Sequence, residues 1–279
     1  MFPTLKQYRR QRREAKREAR LRDPSKYPAD MDRDVVDTIV SVRDYTMTST
    51  ERIHGLCEAV RYICQNRIEG SIVECGVWRG GSMMAVAKTL MKHGETQRDL
   101  YLFDTFDGMS APTDADVSLS GQTASSLLQS EDRGDAKSVW CVAALQDVKT
   151  NLRSTRYPAD RMHFIPGQVE QTIPNTRPSK IALLRLDTDW YESTAHELKH
   201  LFPLLADGGV LIVDDYGHWE GARRAVDEYF ESHGVSMLLQ RLDYTGRIGI
   251  RHVGLEQGPN SVETNCQSIV ETVNHHEAA

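Results

Sequence analysis

The apolar positions of this chain follow two periods that change places along its length. In 50-TERIHGLCEAVRYICQ-65, Ile53, Leu56, Ala59, Val60 and Ile63 recur every three or four residues, which predicts a helix capped by Ser49 or Thr50. A preceding helical segment begins near Asp34, and the pattern breaks at Tyr45–Ser49. The period then shortens. The runs 71-SIVECG-76, 99-DLYLFDTF-106, 161-RMHFIPG-167, 181-IALLRLD-187 and 209-GVLIVDD-215 are short, apolar and bounded by polar or glycine residues, as buried strands are. Helical patterns fall between and after them at 77–93, 141–154, 192–205 and 219–234. The last carries Ala222, Ala225, Val226, Tyr229 and Phe230 on one face, and Gly234 stops it. Two further strands, at about 236–242 and 247–252, are expected to pair as a hairpin around Tyr244–Gly246. The segment 107–140, rich in Asp, Ser, Thr and Gly, reads as an inserted lid or loop.

Continuous apolar strands alternating with helices indicate an α/β fold, a doubly wound, mostly parallel sheet with a C-terminal antiparallel hairpin. Such sheets bind ligands outside the carboxyl ends of their strands. The strand ends here are 74–82, 104–106, 167–168, 187–189 and 214–218, and each carries polar or glycine residues.

Composition narrows the picture. The chain has 279 residues, 39% of them hydrophobic, enough for one large domain over 34–255. A basic arm, 1–33, precedes it and a polar tail, 256–279, follows. The net charge of −6 does not suit a nucleic-acid or membrane binder. Residues 6–22 hold nine Lys or Arg; without an aromatic RNA platform they read as a solvated helix serving a homo-oligomer contact, a dimer or higher. Cys57, Cys64, Cys75, Cys141 and Cys266 have no metal or disulfide spacing, and the odd count points to a reducing cytoplasm. No apolar run reaches the length of a membrane span.

Two constellations carry chemistry. In 72-IVECGVWRGGS-82 an acid closes the strand and glycines open the turn, but the pattern is not the G-x-G-x-x-G of a dinucleotide site. An NAD-dependent oxidoreductase is therefore disfavoured. Glu74 would repel a diphosphate and suits a cationic or zwitterionic ligand such as S-adenosylmethionine. Gly76 would let the backbone approach that ligand, and Ser82 would donate to its carboxylate. Asp104 ends the second strand, where an acid accepts ribose hydroxyls. Phe106 is expected against the adenine and Gln168 at its edge.

The second constellation is acidic. A right-handed crossover makes the strands ending at Asp187 and at Asp214–Asp215 neighbours, so three carboxylates converge. Carboxylates this close need protons or a cation, and oxygen-only ligands favour a hard ion, most simply Mg²⁺. Extended backbone would point Asp189 the same way as Asp187, placing it as general base toward an acceptor hydroxyl; His218 is the rival base.

These segments, IVECGVWRGGSMM, YLFDTFDGM, ALLRLDTDWYESTAHELKHLFPLL and GGVLIVDDYGHWEGARRAVDEYF, resemble the macrocin-type sugar O-methyltransferases of antibiotic biosynthesis. The resemblance runs from about Asp44 to Tyr229, leaving the basic arm and the tail outside. It implies a class I methyltransferase fold (Rossmann-like), S-adenosylmethionine with Asp187 among its contacts, and Mg²⁺ on Asp187, Asp214 and Asp215. It also implies Asp189 as base, and lids at about 44–50, including Tyr45, Thr46 and Met47, and at 107–140. The implied acceptor is a small glycosylated molecule methylated on a deoxysugar hydroxyl. A catechol or other phenol could chelate the same metal and is the alternative acceptor.

Overall fold

The computed structural model describes residues 16, 19, 21, 23–135 and 138–253; most of the basic arm and the tail from residue 254, with Cys266, lie outside the described residues. Helix α1 (Arg33–Val42) and helix α2 (Thr50–Gln65) flank the expected break. Ser49 caps α2, its side chain accepting from the Arg52 amide, and all five stripe residues from Ile53 to Ile63 are buried.

Strands and helices then alternate: β1 (Ser71–Cys75), α3 (Gly81–Lys92), β2 (Leu100–Asp104), α4 (Ala124–Ser130), α5 (Leu145–Arg153), β3 (Met162–Pro166) and the single turn α6 (Val169–Thr172). There follow β4 (Ile181–Leu186), α7 (Tyr191–Leu201), β5 (Leu205–Val213), α8 (Glu220–Ser232), β6 (Gln240–Arg241) and β7 (Arg247–Ile250). The seven strands lie in the order β3-β2-β1-β4-β5-β7-β6. The first five run parallel, and β7 is antiparallel to both β5 and β6, so the doubly wound sheet with its terminal hairpin is observed. The hairpin's first strand is shorter than expected, two residues in place of about seven.

Each face of the sheet has its own core. Ile72, Leu100, Leu102, Leu183 and Ile212 pack under α1, α2 and α3, while Val73, Cys75, Phe103, Leu184, Leu211 and Val213 pack under α7 and α8. The alternation matters for the site, because Glu74, Arg185 and Asp214 follow the first set by two-residue steps and so belong to the α2 side.

The insertion differs from the expected loop. It contains α4, bridges Val117 to Thr123 and Ser118 to Trp219, and builds a third small core from Ala124, Leu128, Trp190, Trp219 and Ala222. Asp116, fully buried, accepts from the Tyr191 amide at the start of α7 (2.8 Å) and from Thr113 N (2.7 Å). The described residues of the 107–140 segment thus form a wall fastened to the N-terminal ends of α7 and α8. Among the described residues no helix is long and apolar enough to cross a membrane, and Cys57, Cys64, Cys75 and Cys141 are free thiols.

Candidate active site

A cavity of about 400 Å³ opens at the carboxyl end of the sheet, within the size range of small-molecule sites. Gly76, Ser82, Asp104 and Gln168 line it from the β1–β2–β3 side, and Asp187, Asp189, Asp214, Asp215 and His218 from the β4–β5 side. Tyr45, Thr46 and Met47 line it between α1 and α2.

The glycine turn is shaped by its contacts. Gly76 has φ +82°, and a Cβ there would fall on the Asp187 carbonyl, so only glycine lets β1 end so close to β4. Asp104 accepts hydrogen bonds from the Val77, Trp78 and Phe106 amides at 2.6, 2.9 and 2.6 Å. Burial raises its pKa, and these three bonds oppose the rise. The turn-capping and ligand-facing readings of Asp104 therefore coexist: its carboxylate fixes the turn and also lines the cavity. Gly81 and Ser82 open α3 on the cavity wall, where first-turn N–H groups lack intrahelical partners and suit an anionic ligand group.

Two expected cofactor contacts are corrected. Phe106 adopts φ +53° and its ring is buried in the α2–α3 core, outside the cavity lining. Glu74 is also absent from the lining; it is 1% exposed and its Oε1 accepts from Arg185 Nη1 at 2.7 Å. The strand-end acid faces inward because its register partner on β4 is that arginine.

Arg185 organises the acidic side. It sits in a fully buried strand, 3% exposed, and its guanidinium donates to Glu74, to Asp187 Oδ2 (2.6 Å) and to Asp214 Oδ1 (2.7 Å). Arg52, from the first turn of α2, pairs with Asp214 Oδ2 and with Asp243 Oδ2. Isolated charges at this depth would be untenable, and the pairing with two guanidinium groups keeps the carboxylates in place.

Asp187, Asp214 and Asp215 come together as expected, one oxygen of each lying within 4.8 Å of the others. Burial, followed by mutual repulsion among the acids, drives Asp215 well above the usual carboxylate range. Asp215 Oδ2 is buried without a hydrogen-bond partner. Oxygens around one Mg²⁺ stand about 3–4 Å apart, given metal–oxygen distances of about 2.1 Å, so this donor set fits a hard divalent ion after a small closure.

Asp189 reaches the same cavity by a different route from the one expected. The backbone is not extended there: β4 ends at Leu186, Trp190 N donates back to Thr188 O, and Asp189 has φ +68°. That turn carries its side chain into the acidic cluster beside Asp215, and burial pushes its pKa up to about 7. The turn is braced from below by buried Glu197, which accepts from Thr188 Oγ1 at 3.0 Å. His218 also lines the cavity; its Nδ1 meets Tyr244 Oη at 3.1 Å, and burial with nearby Arg52 lowers its pKa.

Arg52, Arg185, Trp78 and Tyr244 are site residues that the sequence reading missed. Arg185 had a signal, an arginine inside the apolar run IALLRLD, which demands buried acids around it. Arg52 had a weaker one, a cation in the first helical turn, where the dipole disfavours it. Tyr244 arrives on the hairpin turn and had none.

A family model described as Macrocin-O-methyltransferase (TylF) matches residues 3–248, so the match extends over the arm that the shorter resemblance left out. The chain is 31% identical over 202 residues to a tetracenomycin-C rhamnosyl 4'-O-methyltransferase of Streptomyces olivaceus, covering 72% of this chain and 74% of that protein. It is 30% identical over 202 residues to demethyldecarbamoylnovobiocin O-methyltransferase of Streptomyces niveus, with coverages of 72% and 74%. Among solved structures, the O-methyltransferase NovP superposes with a TM-score of 0.65 at 28% identity, covering 75% of this chain and 82% of that one.

Proposed function

This chain belongs to the macrocin-O-methyltransferase family and is an O-methyltransferase, and from that premise we propose that it methylates a deoxysugar hydroxyl on a secondary metabolite, using S-adenosylmethionine and Mg²⁺. The observation that carries the reading is the meeting, in one cavity, of the glycine turn with the acids Asp187, Asp189, Asp214 and Asp215. The acceptor class rests on the relatives, whose names specify rhamnosyl, novobiocin and mycinamicin O-methylation.

S-adenosylmethionine supplies an electrophilic methyl on a sulfonium, and Mg²⁺ held by Asp187, Asp214 and Asp215 would lower the pKa of a hydroxyl beside it. The chain's own residues do the rest. The first turn of α3 at Gly81–Ser82 receives the cofactor's carboxylate, Asp104 and Gln168 bind its nucleoside portion, and Tyr45, Thr46 and Met47 close over it. Asp187, at the junction of the two constellations, faces the cofactor as well as the metal. Asp189 takes the acceptor's proton as the oxygen attacks the methyl; a base near pKa 7 is matched to neutral pH. His218, held on Tyr244, is the alternative base. The fastened wall 107–140 excludes water and orients the acceptor, the source of much of the rate gain in a two-substrate transfer.

The test is Asp189→Asn. Turnover of a glycosylated antibiotic intermediate should fall about 10²–10⁴-fold, the range for loss of a general base, with S-adenosylmethionine affinity unchanged. Full activity removes Asp189 from the reaction, and turnover of catechols in preference to glycosides would replace the sugar acceptor by a phenolic one.

A further inference from the structure

We propose, resting on the reading that Asp187, Asp214 and Asp215 hold Mg²⁺, that Arg52 is a resident counter-ion which occupies Asp214 in the metal-free protein and competes with the metal for it.

Both oxygens of Asp214 are taken by guanidinium groups: Oδ1 by Arg185 at 2.7 Å and Oδ2 by Arg52. Each oxygen keeps a second lone pair, but a metal using it would stand against a guanidinium on the same carboxylate, and that repulsion favours the withdrawal of one of the two arginines. Arg185 cannot move without stranding three carboxylates, because Glu74, Asp187 and Asp214 all depend on it and its side chain is 3% exposed. Arg52 is placed to yield. Its side chain is 13% exposed and lines the cavity, and its Nε stands 3.0 Å from Asp243 Oδ2, an ion pair without hydrogen-bond alignment. On leaving Asp214 it keeps that outer partner, so no buried cation is left bare.

The charges point the same way. A divalent ion and a guanidinium on one carboxylate repel each other, strongly so where water is scarce. In the metal-free protein the site holds an excess of carboxylates, and Asp215 Oδ2 already lacks a partner. Arg52 offsets that excess and lets the site fold empty. The exchange also reaches the neighbouring wall: Ser49, which caps α2, donates to the same Asp243 oxygen at 2.7 Å. Movement of Arg52 is therefore felt at Ser49, on the same wall as Thr46 and Met47.

The experiment measures Mn²⁺ binding to the full chain by electron paramagnetic resonance, without cofactor or acceptor. Arg52→Gln should bind Mn²⁺ about tenfold more tightly than the wild type, since the competing charge is gone. Arg52→Lys keeps a charge but cannot fork between Asp214 and Asp243, and should bind about threefold more tightly; it also stands in if the Gln variant does not fold. Wild-type binding with equal or weaker binding by the folded variants overturns the competition and leaves the metal reading intact. Binding by the variants alone supports the competition in its strongest form. No binding by any of the proteins overturns both.

Discussion

Asp104 and Asp215 are the same residue type at the carboxyl ends of strands in one sheet, yet they live in opposite surroundings. Asp104 is saturated, holding three backbone amides, two from the glycine turn and that of Phe106 just past β2. Asp215 is short of donors: one oxygen has no partner, and its neighbours are Asp187, Asp189 and Asp214. A strand-end acid becomes scaffold where the local turn turns its amides inward. It becomes a reactive or ligating group where topology crowds it with like charges and leaves the deficit to a ligand.

The largest effect that would break this comparison is Arg185→Met. If counter-charge holds the acidic side together, removing the one cation shared by Glu74, Asp187 and Asp214 should cost about 3–5 kcal/mol in urea unfolding of the metal-free protein. A loss under about 1 kcal/mol would mean that the acids are protonated and need no partner. Next comes Asp104→Ala against Asp215→Ala. The first should cost about 1–3 kcal/mol of stability from its unpaired amides and weaken S-adenosylmethionine binding about tenfold. The second should leave cofactor affinity within about threefold and remove Mn²⁺ binding, measured by calorimetry. Equal cofactor losses in both would erase the division between scaffold and chemistry.

The smallest effect is one of pH. Asp189 is raised to about 7 in the folded protein, so the native state holds its proton more tightly than the unfolded chain does. Its stabilising contribution is complete below the ordinary carboxylate pKa of about 3.9 and is lost as pH climbs through about 7. Over that window the metal-free melting temperature should drift down, by about 2–4 °C for each kcal/mol of this contribution that is lost, and Mg²⁺ added above pH 7 should recover it. Asp189→Asn should flatten the drift; a slope unchanged by that substitution assigns it to other groups.

Much of the fold was legible because burial writes a period into the chain. The stripe of α2, the apolar runs of β1 to β5 and the glycine after α8 all survive as expected, and the crossover rule brought Asp187 beside Asp214 and Asp215. What was missed concerns where side chains point. Glu74 was read as ligand-facing, but in a parallel sheet its β4 neighbour Arg185 claims it. The sequence places Phe106 against the adenine, whereas its left-handed backbone sends the ring into the core. The 107–140 segment reads as a lid or loop from its Asp, Ser, Thr and Gly content, but its apolar residues pack with Trp190 and Trp219, which lie far away in sequence.

By itself, then, the sequence determined the alternation of strands and helices, the sites where chain reversals fall, and the acids that close each strand. Those are local properties, set by periodicity and turn chemistry within a few residues. Only the tertiary structure decided which acid is satisfied and which is left wanting. That depends on donors from elsewhere: backbone amides for Asp104, Arg185 for Glu74, Arg52 from a distant helix for Asp214. Electrostatic environment is a property of neighbours in space, and along the chain Arg52 and Asp214 are 162 residues apart.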